Sequence, residues 1–368
     1  MLPDCHSILA AATVKRTLSN GRFAAALIVL ALGLPPIASA ARTAGIPIRP
    51  ARPSDDAVLS KQGWAEEWRI LAFSPARHGF LSISLVAGPI PMILITGRSG
   101  NETVAASATL PYGLLAHQGS GVTIANLPDN APPQPNSLLY AGGNYVVDLT
   151  WPARGHLTIH PRRVGVTVGP WHLGGEPIVR GGPPTYVAGE MRWSVPVAVG
   201  TISGTIEADS HRITLAGWRA YHDHTWGRFK RSSSSWTHWD FAVESPHPGE
   251  AWILNGLEPT DGRYYALPSD KRWRGVLIHA TPGSIETCNA QITRRGWESR
   301  YLNLTGSGWD YWLPTHVRAN CRHNTLAIQP AARPWPFFGG FNGGVLASSP
   351  LPANDGWVEH AMPVVPTS

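Results

Sequence analysis

Trp64-Ala65-Glu66-Glu67-Trp68-Arg69-Ile70-Leu71-Ala72-Phe73, a turn at Ser74-Pro75-Ala76-Arg77, then Phe80-Leu81-Ser82-Ile83-Ser84-Leu85-Val86 is the stretch that decides the fold class. The second run alternates strictly, and two such runs around a turn predict a β-hairpin. Outward from it the same grammar repeats. Short strands are expected at 91–96, 121–125, 145–150, 155–160, 165–168, 191–197 and 201–208, separated by Gly, Pro, Asn and Ser clusters. A turn at Asp209-Ser210-His211 leads into a further strand. The second half continues with strands at 242–244, 251–257, 262–267, 275–280, 285–293, 309–315 and 325–329. No amphipathic helix stands out. Many short strands at regular spacing predict an all-β chain of antiparallel barrels or sandwiches with few helices.

The 368 residues suit two domains, and 43% hydrophobic with 15% charged residues suits a folded chain. The net charge of +6 is scattered. Without a Lys/Arg block interleaved with aromatics, a nucleic-acid partner is not expected. Lys15, Arg16 and Arg22 precede the apolar run Phe23–Leu32, and Ala38-Ser39-Ala40 follows. This pattern predicts a signal peptide over 1–40 and a secreted or periplasmic protein, with membrane contact only through that segment. A retained N-terminal anchor is the other reading. Residues 41–60, rich in Ala, Pro and Arg, read as a flexible lead-in. The domains are then expected at 61–208 and 209–368. Removing the leader removes Cys5 and leaves Cys288 and Cys321, for which one disulfide is the simplest state in an oxidising compartment and two free thiols the alternative.

Chemistry-bearing residues concentrate in Tyr221-His222-Asp223-His224-Thr225-Trp226-Gly227 and in Trp236-Thr237-His238-Trp239-Asp240. On strands, side chains alternate faces. His222 and His224 then share one face, and Tyr221, Asp223 and Thr225 the other. Two such strands side by side would group acids and imidazoles within indole walls. Glu359, between large apolar residues, is a further candidate acid. Three imidazoles from His222, His224 and His238 would suffice for a metal. Ser232–Ser235 lacks a nucleophile-elbow turn and reads as a polar loop.

The run Arg212-Ile213-Thr214-Leu215-Ala216-Gly217-Trp218-Arg219-Ala220-Tyr221-His222-Asp223-His224-Thr225-Trp226-Gly227 resembles, in its Tyr-His-Asp-His-x-Trp-Gly end, the Gly-x-x-Tyr-His-Asp-His-Asn-Trp-Gly signature of the carotenoid 1,2-hydratase (AttH-type) family. Glu67-Trp68, Ser203-Gly204-Thr205-Ile206 and Gly356-Trp357-Val358-Glu359 look like further landmarks, and the resemblance spans about residues 60–362. It implies two consecutive lipocalin-like β domains with a ligand pocket associated with their interface, and neither metal nor cofactor. The superfamily also holds secreted fungal hydratases and Diels–Alder cyclases. The resemblance implies roles for His224 and Trp226. The family's Tyr-x-Asp pair has no counterpart in Ala251–Gly256, and Thr225 stands where Asn is usual.

These readings combine into an expected lyase-like or isomerase-like activity on an apolar, polyene or terpenoid-like small molecule in a monomer. His224, Trp226, Asp240 and Glu359 are the candidate catalytic residues, and Tyr221, His222, Trp236, His238 and Trp239 the candidate ligand contacts. Replacing His224 by Ala is expected to abolish turnover with the fold intact. A non-catalytic carrier of hydrophobic small molecules is the alternative.

Overall fold

The computed structural model describes residues 46–57, 64–74, 79–87, 91–109, 114–117, 120–126, 134–173, 189–228, 238–245, 247, 249–258, 273–304, 307–321, 324–328, 335–337, 344–350, 355–363 and 365–366. The first sheet takes β1 (Ile48–Pro50), β2 (Trp64–Phe73), β3 (Gly79–Ala87), β4 (Met92–Ser99), β5 (Glu102–Thr109), β6 (Leu114–His117), β7 (Gly121–Asn126), β8 (Gln134–Ala141), β9 (Asn144–Leu149), β10 (Arg154–Arg163), β11 (Val166–Leu173), β12 (Gly189–Ala208) and β13 (His211–Arg228). The second takes β14 (His238–Ser245), β15 (Ala251–Glu258), β16 (Trp273–Ala280), β17 (Ile285–Leu304), β18 (Ser307–Cys321), β19 (Asn324–Ile328), β20 (Trp335–Phe337), β21 (Gly344–Pro350), β22 (Asp355–Pro363) and β23 (Val365–Pro366). The expected all-β fold is therefore present. The one helical element among the described residues is the 3-10 turn Pro53–Asp56.

The first sheet runs β5-β4-β3-β2-β13-β12-β10-β9-β8-β7-β6, with β11 beside β12 and β1 beside β11. Val104 and Ala108 near one end of this order join the same buried cluster as Val122 and Ile124 near the other, so the sheet curls around its own core. The second sheet runs β19-β18-β17-β16-β15-β14-β22-β21-β20. Its inner face holds Leu254, Leu277, Ile292, Val317 and Ala319. A third cluster joins the sheets. Leu71, Phe73, Trp193, Val195 and Tyr221 of the first pack with Val243, Ile253, Val276 and Ile278 of the second. The central strands are therefore buried on both faces, which explains the unbroken apolar run Ile70–Phe73.

One irregularity sets which residues face where. Ile202 pairs with Trp218, but Gly204 pairs with Leu215, so β13 carries one extra residue at Ala216–Gly217. Gly217 sits at φ +67°, which suits glycine. Before the bulge the odd residues Ile213 and Leu215 face the curled core, and after it the even residues Trp218 and Ala220 do. Opposite, Gly204 has φ +127°, and a Cβ there would lie 2.1 Å from the His156 carbonyl oxygen.

Several expectations change. The lead-in is built into the sheet over its described part: Ile48–Pro50 pairs with Val166–Val168, and Pro53–Asp56 packs beneath β2 and β13. The strands expected at 191–197 and 201–208 are one bulged strand. The change of sheet falls between Arg228 and His238, not at 208/209, because β13 completes the first sheet. Residues 1–45, with the expected signal, and 262–267 lie outside the described residues. Among those described, no helix is long and apolar enough to cross a membrane. Cys288 and Cys321 form the expected disulfide, with Cα atoms 6.1 Å apart.

Candidate functional site

After the bulge, β13 lies between β2 and β12. His222 is opposite Ile70, His224 opposite Trp68 and Trp226 opposite Glu66. Both imidazoles point into one end of the curled core and are fully buried. His224 is sandwiched between Trp68, 4.4 Å away and tilted 11°, and Trp226, 4.6 Å away and tilted 25°. His222 meets Tyr145 edge-on at 4.9 Å. The turn Pro53–Asp56 closes this end. The Trp68 indole N–H donates to the Asp56 carbonyl at 2.9 Å, and the Thr167 hydroxyl donates to the Asp55 carboxylate at 2.7 Å. Arg49 pairs with the same carboxylate. Burial raises the Asp55 pKa, but the bonds from Arg49, Thr167 and the Arg52 N–H outweigh it and hold it below the usual range.

The hydrogen bonds fix where protons sit. His222 Nδ1 lies 2.8 Å from the Arg69 carbonyl oxygen, and His224 Nδ1 lies 2.8 Å from that of Asp55. Carbonyl oxygens only accept, so each Nδ1 carries its hydrogen. Each Nε2 faces a carboxylate, His222 to Asp56 at 2.9 Å and His224 to Glu66 at 3.2 Å. Such a contact is attractive only with a proton between the partners, so each imidazole–carboxylate pair holds one more proton. Burial by itself would lower the His222 pKa. The Asp56 charge and bond, the Arg69 carbonyl and the Asp223 charge outweigh it, and the pKa is raised. Burial and then the Asp56 charge keep the Tyr145 phenol protonated far up the pH scale. With all four ring nitrogens committed, neither imidazole is free to ligate a metal in this arrangement.

The other face of β13 builds a second network, against the second sheet. The Asp223 Oδ2 accepts from the Trp193 indole N–H and the Tyr221 hydroxyl, both at 2.9 Å. Arg69, fully buried, brings Nε to 3.6 Å from Asp223 and a terminal nitrogen to 3.6 Å from Glu67. Burial first, then Asp223, pushes the Tyr221 pKa well up. Beside this network a cleft of about 190 Å³ opens between the sheets, lined by Phe73, Arg162, Val199, Arg219, Tyr221 and Val243 among others.

The structure thus gathers Tyr221, His222, His224 and Trp226 on one strand, with Tyr221 on the opposite face from the other three. It does not join the two halves of the motif. Both edges of β13 are occupied by β2 and β12, and β14 pairs instead with β15 and β22 in the second sheet. In backbone register Asp240 is opposite His360 and Phe241 opposite Glu359. The side chains of His238, Trp239, Asp240 and Glu359, and all of Trp236, lie outside the described residues. Sequence reading missed Asp56, Glu66, Arg69, Tyr145 and Trp193. Arg69 carried a signal, since it is a charged residue inside a strand between Trp68 and Ile70. Asp56 carried none.

No family model matches the chain, and no curated protein matches it. Solved structures do. CghA aligns with a TM-score of 0.52 at 12% identity, over 83% of this chain and 89% of that one, both alone and with Sch210972. A protein from Nitrosomonas europaea assigned as an AttH aligns with a TM-score of 0.49 at 14% identity, over 86% of this chain and 97% of that one. Kievitone hydratase from Nectria haematococca gives 0.47 at 11% identity, over 87% and 94%. The likeness to CghA and the arrangement of the two curled sheets lead to one conclusion: this chain has an all-β, lipocalin-like fold.

Proposed function

We propose that this chain is an exported, AttH-type enzyme that performs acid–base chemistry on an apolar, polyene or terpenoid-like molecule, adding water or closing a ring. The observation that carries the reading is the Glu66–His224 contact at 3.2 Å, with the imidazole clamped between two indoles. Protonating an alkene or a conjugated carbonyl needs an acid shielded from water, and the cation that develops is stabilised by aromatic faces. Glu66 delivers a proton that stays on carbon, His224 accepts the proton released by the attacking water or by the ring-closed cation and returns it to Glu66, and Trp226 faces the developing charge. Trp226 and Glu66, at 5% and 3% exposure, are the members of this layer nearest to solvent. The Cys288–Cys321 disulfide is consistent with an oxidising compartment outside the cytoplasm.

The test is Glu66→Gln, which keeps the side-chain shape and removes the acid. Wild-type protein incubated with polyene and terpenoid extracts yields products of changed mass or retention time, and the variant loses at least about 100-fold in rate with an unchanged melting temperature. Equal rates in the two proteins overturn the assignment. One observation favours the alternative, a non-catalytic carrier: both imidazoles are satisfied internally through both nitrogens. Recovery of only unaltered ligand after long incubation with wild-type protein establishes the carrier.

A further inference from the structure

Residues 46–57 supply the His224 layer with an acid from far along the chain. β1 pairs with β11, the Ala51 N–H donates to the Gly165 carbonyl at 3.1 Å, and the Gly169 N–H donates to that of Pro47 at 2.9 Å. The turn Pro53–Asp56 is held further through Asp55, whose carboxylate takes the Arg49 guanidinium, the Thr167 hydroxyl and the Arg52 N–H. These anchors set Asp56 beneath β2 and β13, where it is fully buried. Its Oδ2 meets His222 Nε2 at 2.9 Å, and its Oδ1 lies 3.9 Å from His224 Nδ1. The Tyr145 phenol, from β9, feels the same charge. The Asp56 carbonyl takes the Trp68 indole N–H, and that indole is stacked on His224. One carboxylate is thus common to both imidazoles, reaching His222 through a hydrogen bond and His224 through its charge.

We propose that Asp56 is a positioning residue for the Glu66–His224 pair, its buried charge drawing a proton from Glu66 toward His224 Nε2. The inference rests on the acid–base reading above, in which His224 accepts a proton and returns it to Glu66. An imidazole that gains a proton at Nε2 spreads the charge over both nitrogens, and its Nδ1 then faces Asp56. A buried charge at that range is poorly screened and favours the protonated ring. The other titratable groups around His224 are Glu66 from β2, His222 from its own strand and Tyr145 beside His222. Asp223 projects from the opposite face of β13. His222, bonded to the second oxygen of Asp56, tempers the pull on His224. The two imidazoles therefore answer to each other through one acid of the turn.

The experiment is nitrogen-15 NMR of the intact protein labelled in its histidines, read on His224 Nε2 at neutral pH without substrate. Asp56→Asn, close in shape but uncharged, is expected to shift that nitrogen toward the position of an unprotonated ring. His222→Gln leaves the carboxylate without its imidazole partner and shifts the nitrogen the opposite way, toward a protonated ring. Arg49→Gln loosens the same segment from the solvent side, lowers the melting temperature and leaves the nitrogen where it is. A His224 resonance unmoved in folded Asp56→Asn or His222→Gln protein overturns the proposal. An equal displacement in Arg49→Gln overturns it too, because the segment then acts as a support alone. Wild-type protein that converts none of the polyene and terpenoid extracts overturns the reading of Glu66, and the resonance still decides the role of Asp56. Where the wild type does convert them, an equal rate in folded Asp56→Asn protein overturns the positioning role.

Discussion

His224 shows how much a single ring can carry. It fills the space between two indoles and meets Glu66 in the interior. Replacing it by Ala opens a cavity and removes one partner of a buried carboxylate, at a cost of about 3–5 kcal/mol. The urea midpoint of His224→Ala is expected to fall accordingly, so the substitution tests stability as much as turnover. His222 makes a different prediction. Its folded pKa is raised, so its contribution is complete below the unfolded value of about 6.5 and is lost as pH rises through the folded value. Stability measured by urea unfolding between pH 5 and 9 should decline across that window, and Asp56→Asn should flatten the decline. An unchanged slope would show that Asp56 is not the source. The sequence showed that the two imidazoles share a face, because alternation is local. It did not show what they face: Asp56 lies 166 residues from His222, and no local pattern records such a contact.

At the level of the element, β13 works because it changes face in mid-strand. Gly217→Val places a β-branched residue at φ +67° and is expected to cost about 1–2 kcal/mol. Relaxing that strain by closing the bulge would turn His222 and His224 away from the curled core. A calorimetric scan reads the first effect, and emission from Trp226 and Trp68 reads the second. The hairpin of β2 and β3 was legible, because Leu81, Ile83 and Leu85 alternate and all three are buried. The bulge was not, since Ala216-Gly217 also reads as an ordinary break. The turn Pro53–Asp56 was misread as loose. Its composition has no period, and its order comes from Asp55 and Asp56 bonding to strands far along the chain.

For the whole molecule, two sheets share one central cluster, and the second is cross-linked by Cys288–Cys321 at a separation of 33 residues. Opening that loop by the double substitution Cys288→Ser/Cys321→Ser is expected to lower stability by about 3–4 kcal/mol in the chain-entropy picture. Chemical unfolding with and without reductant checks it, and the doubly substituted protein should ignore the reductant. Fold class was readable from strand spacing because strand grammar repeats. The pairing of the motif's two halves was not, because neighbours along the chain become neighbours in a sheet only where an edge is free. The two protons held between His222 and Asp56 and between His224 and Glu66 have a last consequence. The one between His222 and Asp56, whose acid belongs to the turn Pro53–Asp56, is expected to trade with deuterium as that turn lifts away. Its lifetime in heavy water is therefore a clock for the breathing of that end of the sheet, one that runs without any substrate.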